Sequence, residues 1–106
     1  MQLTSFPPII SSNAKVLILG SMPGRESLAR HQYYAHPRNS FWFIMGEICG
    51  ARTELPYADR IDRLNNAGIA LWDVLMHCER EGSLDVHIKN EVPNDFAAFF
   101  ALHSTM

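Results

Sequence analysis

"KVLILGSMPG", residues 15–24, decides the architecture. The aliphatic run Val16–Leu19, closed by Gly20, suits a strand buried on both faces of a parallel sheet, and it is expected to be the central one. Pro23 and Gly24 force a turn, with a short helix-prone stretch beyond. The carboxyl end of the strand therefore opens onto a loop. Ligands of open α/β sheets sit at that end, which makes the loop a candidate site by position alone.

Outward from this strand, "NSFWFIMGEICG" (39–50) predicts a buried helix of about three turns. Asn39 or Ser40 can cap it and Gly50 can end it. "LPYADRIDRLNNAG" (55–68) predicts an amphipathic helix with Pro56 early, Tyr57, Ile61 and Leu64 on one face, and Gly68 closing it. "IALWDVL" (69–75) reads as a second strand, so strand, helices and strand make a parallel crossover. A polar connection over 76–92 and a last helix in "PNDFAAFFALH" (93–103) complete the series. The expected class is α/β, three-layered around a central parallel sheet, with residues 1–106 as a single domain. Two strands leave both edges unpaired, so the fold is expected to be incomplete at its C-terminus.

The chain has 106 residues, too few for two cores, and its 47% apolar and 19% charged content is that of an ordinary soluble globular protein. No apolar run approaches the ~20 residues of a membrane span, and no basic segment precedes the first apolar residues; a cytoplasmic location without membrane contact is expected. Cys49 and Cys78 have neither metal-ligand nor disulfide-scaffold spacing and are expected as reduced, packed thiols. The net charge is −2, yet residues 15–38 hold Lys15, Arg25, Arg30 and Arg38 against Glu26 alone. That stretch is thus +3, and residues 39–106 carry −5. A general positive field that coats nucleic acid is excluded; a local basic patch is not.

The basic stretch runs into "YYAHPRNSFW" (33–42), with four aromatic rings, a histidine, an arginine and an asparagine in ten positions. Taken singly, Asn39 reads as a helix cap, Phe41 and Trp42 as core, and His36 as a loop residue held extended by Pro37. The spacing of His31 and His36 fits no zinc pattern, so no metal is expected. Taken together, an aromatic face, a carboxamide fixed at a helix start and a glycine-proline loop suit a flat heterocycle, with flanking arginines for phosphates.

The stretches "LGSMPGRESLARHQYYAHPRNSFWFIMG" and "GIALWDVLMHCEREGSLD" resemble the uracil-DNA glycosylase superfamily, most closely its hypoxanthine-DNA glycosylase (DNA-deoxyinosine glycosylase) branch. Members of that branch share a GSMPG-type loop followed by YYAHPRNxFW. Many superfamily members carry an Asp or Asn in the loop to position the attacking water; Gly20 to Gly24 contain none. The resemblance implies that Asn39 takes over this role, that an extruded base stacks on Phe41, and that Gly20, Ser21 and Met22 lend backbone groups to the base or the water. Tyr34 and His36 would line the entrance, and Arg25, Arg38 and Gly24 would meet DNA phosphates. The family's serine-rich second motif would fall beyond "ALHSTM"; Ser104 and Thr105 are given no part in it.

The implied reaction is hydrolysis of the bond joining a deaminated base, uracil or hypoxanthine, to deoxyribose in DNA, with no cofactor. Departure of the base leaves an oxocarbenium-like sugar, so the protein must hold a water beneath C1′ and stabilise charge on the leaving base. Two other readings stand beside this one. One is a non-catalytic fragment that self-associates through an open sheet edge, the other a nucleotide or nucleoside hydrolase on a similar fold.

Overall fold

The computed structural model describes residues 2–106, which run as β1 (Gln2–Thr4), β2 (Val16–Gly20), α1 (Arg25–Arg30), α2 (Phe41–Cys49), α3 (Tyr57–Asn66), β3 (Ile69–Asp73), β4 (Leu75–Glu79), a 3-10 turn (Asp85–His87), β5 (Lys89–Pro93) and α4 (Phe96–Leu102). β2 and β3 pair in parallel, from Val16 opposite Ile69 to Gly20 opposite Asp73, and α1 to α3 form the crossover between them. The expected α/β class with a parallel pair at its heart holds.

The interior strand is β3, not β2. Ile9 makes an antiparallel bridge to Leu71, with reciprocal N–H···O bonds of 2.9 Å, so among the described residues β3 has neighbours on both sides while β2 has one. Burial follows. Ala70, Leu71, Trp72 and Asp73 are buried, whereas Val16 is 54% and Leu19 45% exposed. The expectation that β2 is central and covered on both faces is corrected on this point: an unbroken aliphatic run reports hydrophobic strand, but not which strand is flanked.

β3 ends at Asp73, earlier than expected. Val74 N–H donates to Gly20 O (2.8 Å), and the chain then enters β4, the middle strand of an antiparallel sheet ordered β1-β4-β5. The region 76–92 is therefore not a simple polar connection. Its two strands pair from Leu75 opposite Pro93 to Glu79 opposite Lys89, with register irregularities.

The three longer helices lie where their caps put them. α2 begins where Asn39 Oδ1 accepts the Phe41 N–H (2.8 Å) and ends at Gly50, whose φ of 79° is the left-handed conformation that favours glycine. It buries Trp42 and Met45 but leaves Phe43, Ile44 and Ile48 exposed, so the helix expected to be buried is half-buried. α3 turns Leu64 into the core with Tyr57 and Ile61 beside it. Asp95 Oδ1 caps α4 through Ala98 N (3.0 Å), and Phe99 packs against Trp72 with ring centroids 4.5 Å apart. The core gathers Tyr33, Trp42, Met45, Ala51, Leu64 and Leu71; complete burial of a leucine such as Leu64 or Leu71 is worth roughly 1.5–3 kcal/mol. Among the described residues no helix is long and apolar enough to cross a membrane.

Candidate active site

Gly20 and Asp73 are register partners at the carboxyl ends of the two parallel strands, and the loop Gly20–Gly24 leaves from this point. The segment 80–85 holds that loop in place. Buried Arg80 donates from Nη2 to Pro23 O (2.7 Å) and from Nε to Gly82 O (2.8 Å). Ser83 Oγ accepts the Arg25 N–H (2.8 Å), and the Ser21 hydroxyl donates to Asp85 Oδ2 (2.8 Å). Gly20 is required by close approach: a Cβ there would collide with Asp73 Oδ1 and sit 3.4 Å from the Tyr34 hydroxyl oxygen.

Segment 33–39 forms the opposite wall. Tyr33 anchors it from three sides: its hydroxyl donates to Pro7 O (3.0 Å), its N–H donates to the Tyr57 hydroxyl (3.0 Å), and its carbonyl accepts from Trp42 Nε1 (2.9 Å). Ser27 Oγ accepts the Ala35 N–H (3.0 Å). Between these fixed points Tyr34 sits at a φ of 54°, which is costly for a residue with a side chain. The turn after it is closed by Asn39 N–H to His36 O (2.9 Å).

The two walls enclose a cavity of about 220 Å³. Of the residues the sequence nominates, Gly20, Ser21, Met22, Gly24, Tyr34, His36 and Asn39 line it together. Its inner surface is buried (Met22, Ser27, Tyr33 and Asp73), while His36 and Asn39 are exposed at the mouth. The carboxamide of Asn39 is fixed by the Phe41 N–H, which leaves a second lone pair on Oδ1 and both Nδ2 protons for a ligand or a water.

Three nominated residues lie elsewhere. Phe41 does not line the cavity; its ring is stacked on Tyr34, with centroids 4.0 Å apart and planes 22° from parallel, and Trp42 meets it edge-on at 4.9 Å. The ring that meets the cavity is that of Tyr34, with Phe41 behind it. With Tyr34 in this position one face of the Phe41 ring is already taken. Arg25 and Arg38 are exposed outside the cavity. A second groove shares Tyr34, His36 and Asn39 with the cavity and adds Arg30 and Arg60.

Asp73 was not among the nominated residues. It is 4% exposed, and its Oδ2 has no hydrogen-bond partner among the described residues. Burial, with a smaller contribution from the charge of Asp85, pushes its pKa from 3.8 up to about 6. Burial and then Asp73 also raise the Tyr34 phenol, keeping it neutral. The sequence held a signal for this residue: an acid closing the apolar run "IALWD" stands at the carboxyl end of a strand, where α/β sites assemble.

Residues 7–101 match the family model of the Uracil DNA glycosylase superfamily. The chain belongs to that superfamily. Two curated relatives, each named hypoxanthine DNA glycosylase, come from Methanosarcina barkeri (44% identical, 92% of this chain and 62% of the relative) and Methanosarcina acetivorans (40% identical, 87% and 59%). A solution NMR structure from Methanosarcina acetivorans, described as a candidate uracil DNA glycosylase, superposes with a TM-score of 0.85 at 36% identity. The match covers 99% of this superfamily member and 66% of the solved chain. The chain thus spans about three fifths of the length of the curated relatives it matches.

Proposed function

We propose that this chain carries the base-binding and water-positioning part of a DNA glycosylase that hydrolyses the N-glycosidic bond of a deaminated base, hypoxanthine or uracil. The observation that carries the reading is the meeting of Asn39, Tyr34 and the Gly20–Gly24 loop around one cavity in a member of this superfamily. At about 220 Å³ it is smaller than the roughly 300–1,000 Å³ of drug-sized ligand sites and suits one flat heterocycle. The names of the Methanosarcina relatives favour hypoxanthine.

In this reading the extruded base enters past His36 and lies against the Tyr34 ring, which Phe41 backs. Stacking returns roughly 1–3 kcal/mol against the few kcal/mol that extrusion costs. Asn39, at the mouth, orients a water toward C1′ through its carboxamide. A neutral amide cannot abstract a proton strongly, so the barrier is lowered by position and by backbone donors of Ser21 and Met22 aimed at the departing base. Arg25, Arg38 and the Gly24 backbone meet phosphates, which set register without reading sequence.

The test is incubation of the chain with oligonucleotides containing hypoxanthine or uracil, scored for abasic sites, beside free inosine and deoxyuridine scored for base release. Abasic sites without nucleoside cleavage are expected. Asn39→Ala should lower excision about 100-fold or more, since small misplacements in a positioned reaction have effects of that size. Cleavage of free nucleosides alone would favour a nucleoside hydrolase, and undiminished excision by Asn39→Ala would remove that residue from the mechanism.

A further inference from the structure

We infer that Arg60 seats one backbone phosphate beside the extruded nucleotide, in the groove that adjoins the cavity, and so sets the register of the strand. The inference rests on the proposed glycosylase reading and adds to it a phosphodiester subsite outside the cavity.

The groove, about 220 Å³ in volume, continues from the mouth of the cavity: Tyr34, His36 and Asn39 line both hollows, and Arg30, Trp42 and Arg60 lie beyond them. No carboxylate lines it among the described residues, whereas the cavity ends on Asp73 and the chain as a whole carries −2. An anion is the ligand that such a lining favours. Its position names the anion. A nucleotide whose C1′ is held at Asn39 has its sugar at the mouth, and the two phosphates on that sugar are the charges nearest the groove.

Arg60 is held there in advance. It follows Tyr57 by one turn on α3; its guanidinium carbon lies 4.8 Å from the Trp42 ring centre and 5.3 Å from that of Tyr57, and its Nε donates to Leu55 O (3.1 Å). Rings and carbonyl together fix a long side chain whose freedom would otherwise be lost on binding. Neither Nη group has a hydrogen-bond or ion-pair partner among the described residues, which leaves four N–H donors in one plane, the arrangement that meets two phosphate oxygens at once. Arg30, by contrast, is already paired with Glu26. His36 supplies a second donor: its Nδ1 accepts the Arg38 N–H (3.1 Å), which puts the proton of the neutral ring on Nε2. The exposed Arg25 and Arg38 can meet whichever phosphate passes; Arg60, fixed beside the mouth, fits one.

The experiment is fluorescence anisotropy of the chain with duplexes that hold one hypoxanthine and one uncharged methylphosphonate, moved phosphate by phosphate along the damaged strand. Wild type should lose roughly tenfold or more at one of the two phosphates flanking the hypoxanthine nucleotide, the worth of a hydrogen bond between charged groups, and less than about threefold at phosphates several nucleotides away. Arg60→Met, which keeps apolar cover over Trp42, should bind the unmodified duplex more weakly by the same factor and be indifferent to the methylphosphonate that costs wild type most. Arg60→Lys keeps the charge without the fork and should recover part of both. Amide spectra check that each variant is folded; if Arg60→Met is not, the same comparison is decided with Arg60→Lys, and the scan of wild type needs no variant. A flat scan in wild type overturns the inference, as does a folded Arg60→Met that keeps full sensitivity to that phosphate. Hypoxanthine release from the unmodified duplex is scored in parallel. Coupling of Arg60 to the phosphate without release sinks the glycosylase reading alone; release without the coupling sinks the Arg60 assignment alone.

Discussion

Tyr34 holds the left-handed backbone, at a cost of roughly 1–3 kcal/mol, because the tyrosine before it is tied down by three hydrogen bonds. The strain turns its ring between Phe41 and the cavity. Tyr34→Ala should therefore weaken hypoxanthine binding by about 1–3 kcal/mol, the worth of one stacked base, while Phe41→Leu, which keeps apolar backing, should cost less. Equal losses in a titration of both variants would return the stacking role to Phe41. Asp73 makes a second prediction, on stability. Its folded pKa of about 6 lies above the ordinary 3.8, so the native state binds that proton more tightly than the unfolded chain does. Stability from this group is then gained as pH falls through 6 and is complete below 3.8; above 6 the buried charge is a burden. Asp73→Asn should be more stable than wild type by about 1–3 kcal/mol at neutral pH, with the gain fading toward acid, in denaturant unfolding at several pH values. A variant less stable than wild type at neutral pH would mean that the carboxylate has a partner. At this scale the sequence marks Asn39, Tyr34, His36 and the glycine-proline loop, because the resemblance of their motifs to the superfamily implies those places for them. It does not tell Tyr34 from Phe41, which depends on a backbone angle, nor show that Asp73 is orphaned, which depends on what fails to pack against it.

The elements around the site differ in how they are held. The Gly20–Gly24 loop has little side-chain bulk of its own and takes its shape from Arg80, Ser83 and Asp85. Hydrogen bonds from a charged donor contribute about 1.5–3 kcal/mol each, so Arg80→Met should loosen the loop. The expected outcome is faster amide exchange across residues 21–24 and weaker base binding, with exchange in α3 scarcely altered; uniform acceleration throughout the chain would indicate general destabilisation. This dependence explains which elements the sequence makes legible. Helices α2, α3 and α4 carry local signals, a cap at Asn39 or Asp95, a glycine stop, an apolar stripe, and each lies where those signals fall. β5 is exposed at every position and β4 alternates only partly, so neither has the apolar run that announces a strand; β1 is three residues long. Their pairing is a long-range matter, decided between residues 2–4, 75–79 and 89–93.

Across the whole molecule, charge is set out unevenly, with +3 in residues 15–38 of a chain that totals −2. The basic groups are not equivalent. Arg30 is paired with Glu26 at 3.6 Å, and Arg60 lies over the Trp42 ring at 4.8 Å while donating to Leu55 O. Arg25 and Arg38 are exposed and enter no ion pair among the described residues, which suits them to replace counterions on a phosphate backbone. Each phosphate neutralised contributes about 0.9 to the slope of log affinity against log salt for duplex DNA. Arg25→Gln and Arg38→Gln should each flatten that slope by about 1 and weaken binding to the same degree whether the oligonucleotide carries hypoxanthine or adenine. Arg30→Gln, which gives up an existing partner, should flatten it by less. Fluorescence anisotropy over a salt series separates the cases. A slope unchanged by Arg25→Gln and Arg38→Gln, or a loss confined to one base, would place the DNA backbone elsewhere, with the Arg30 and Arg60 groove as the surface to mutate next.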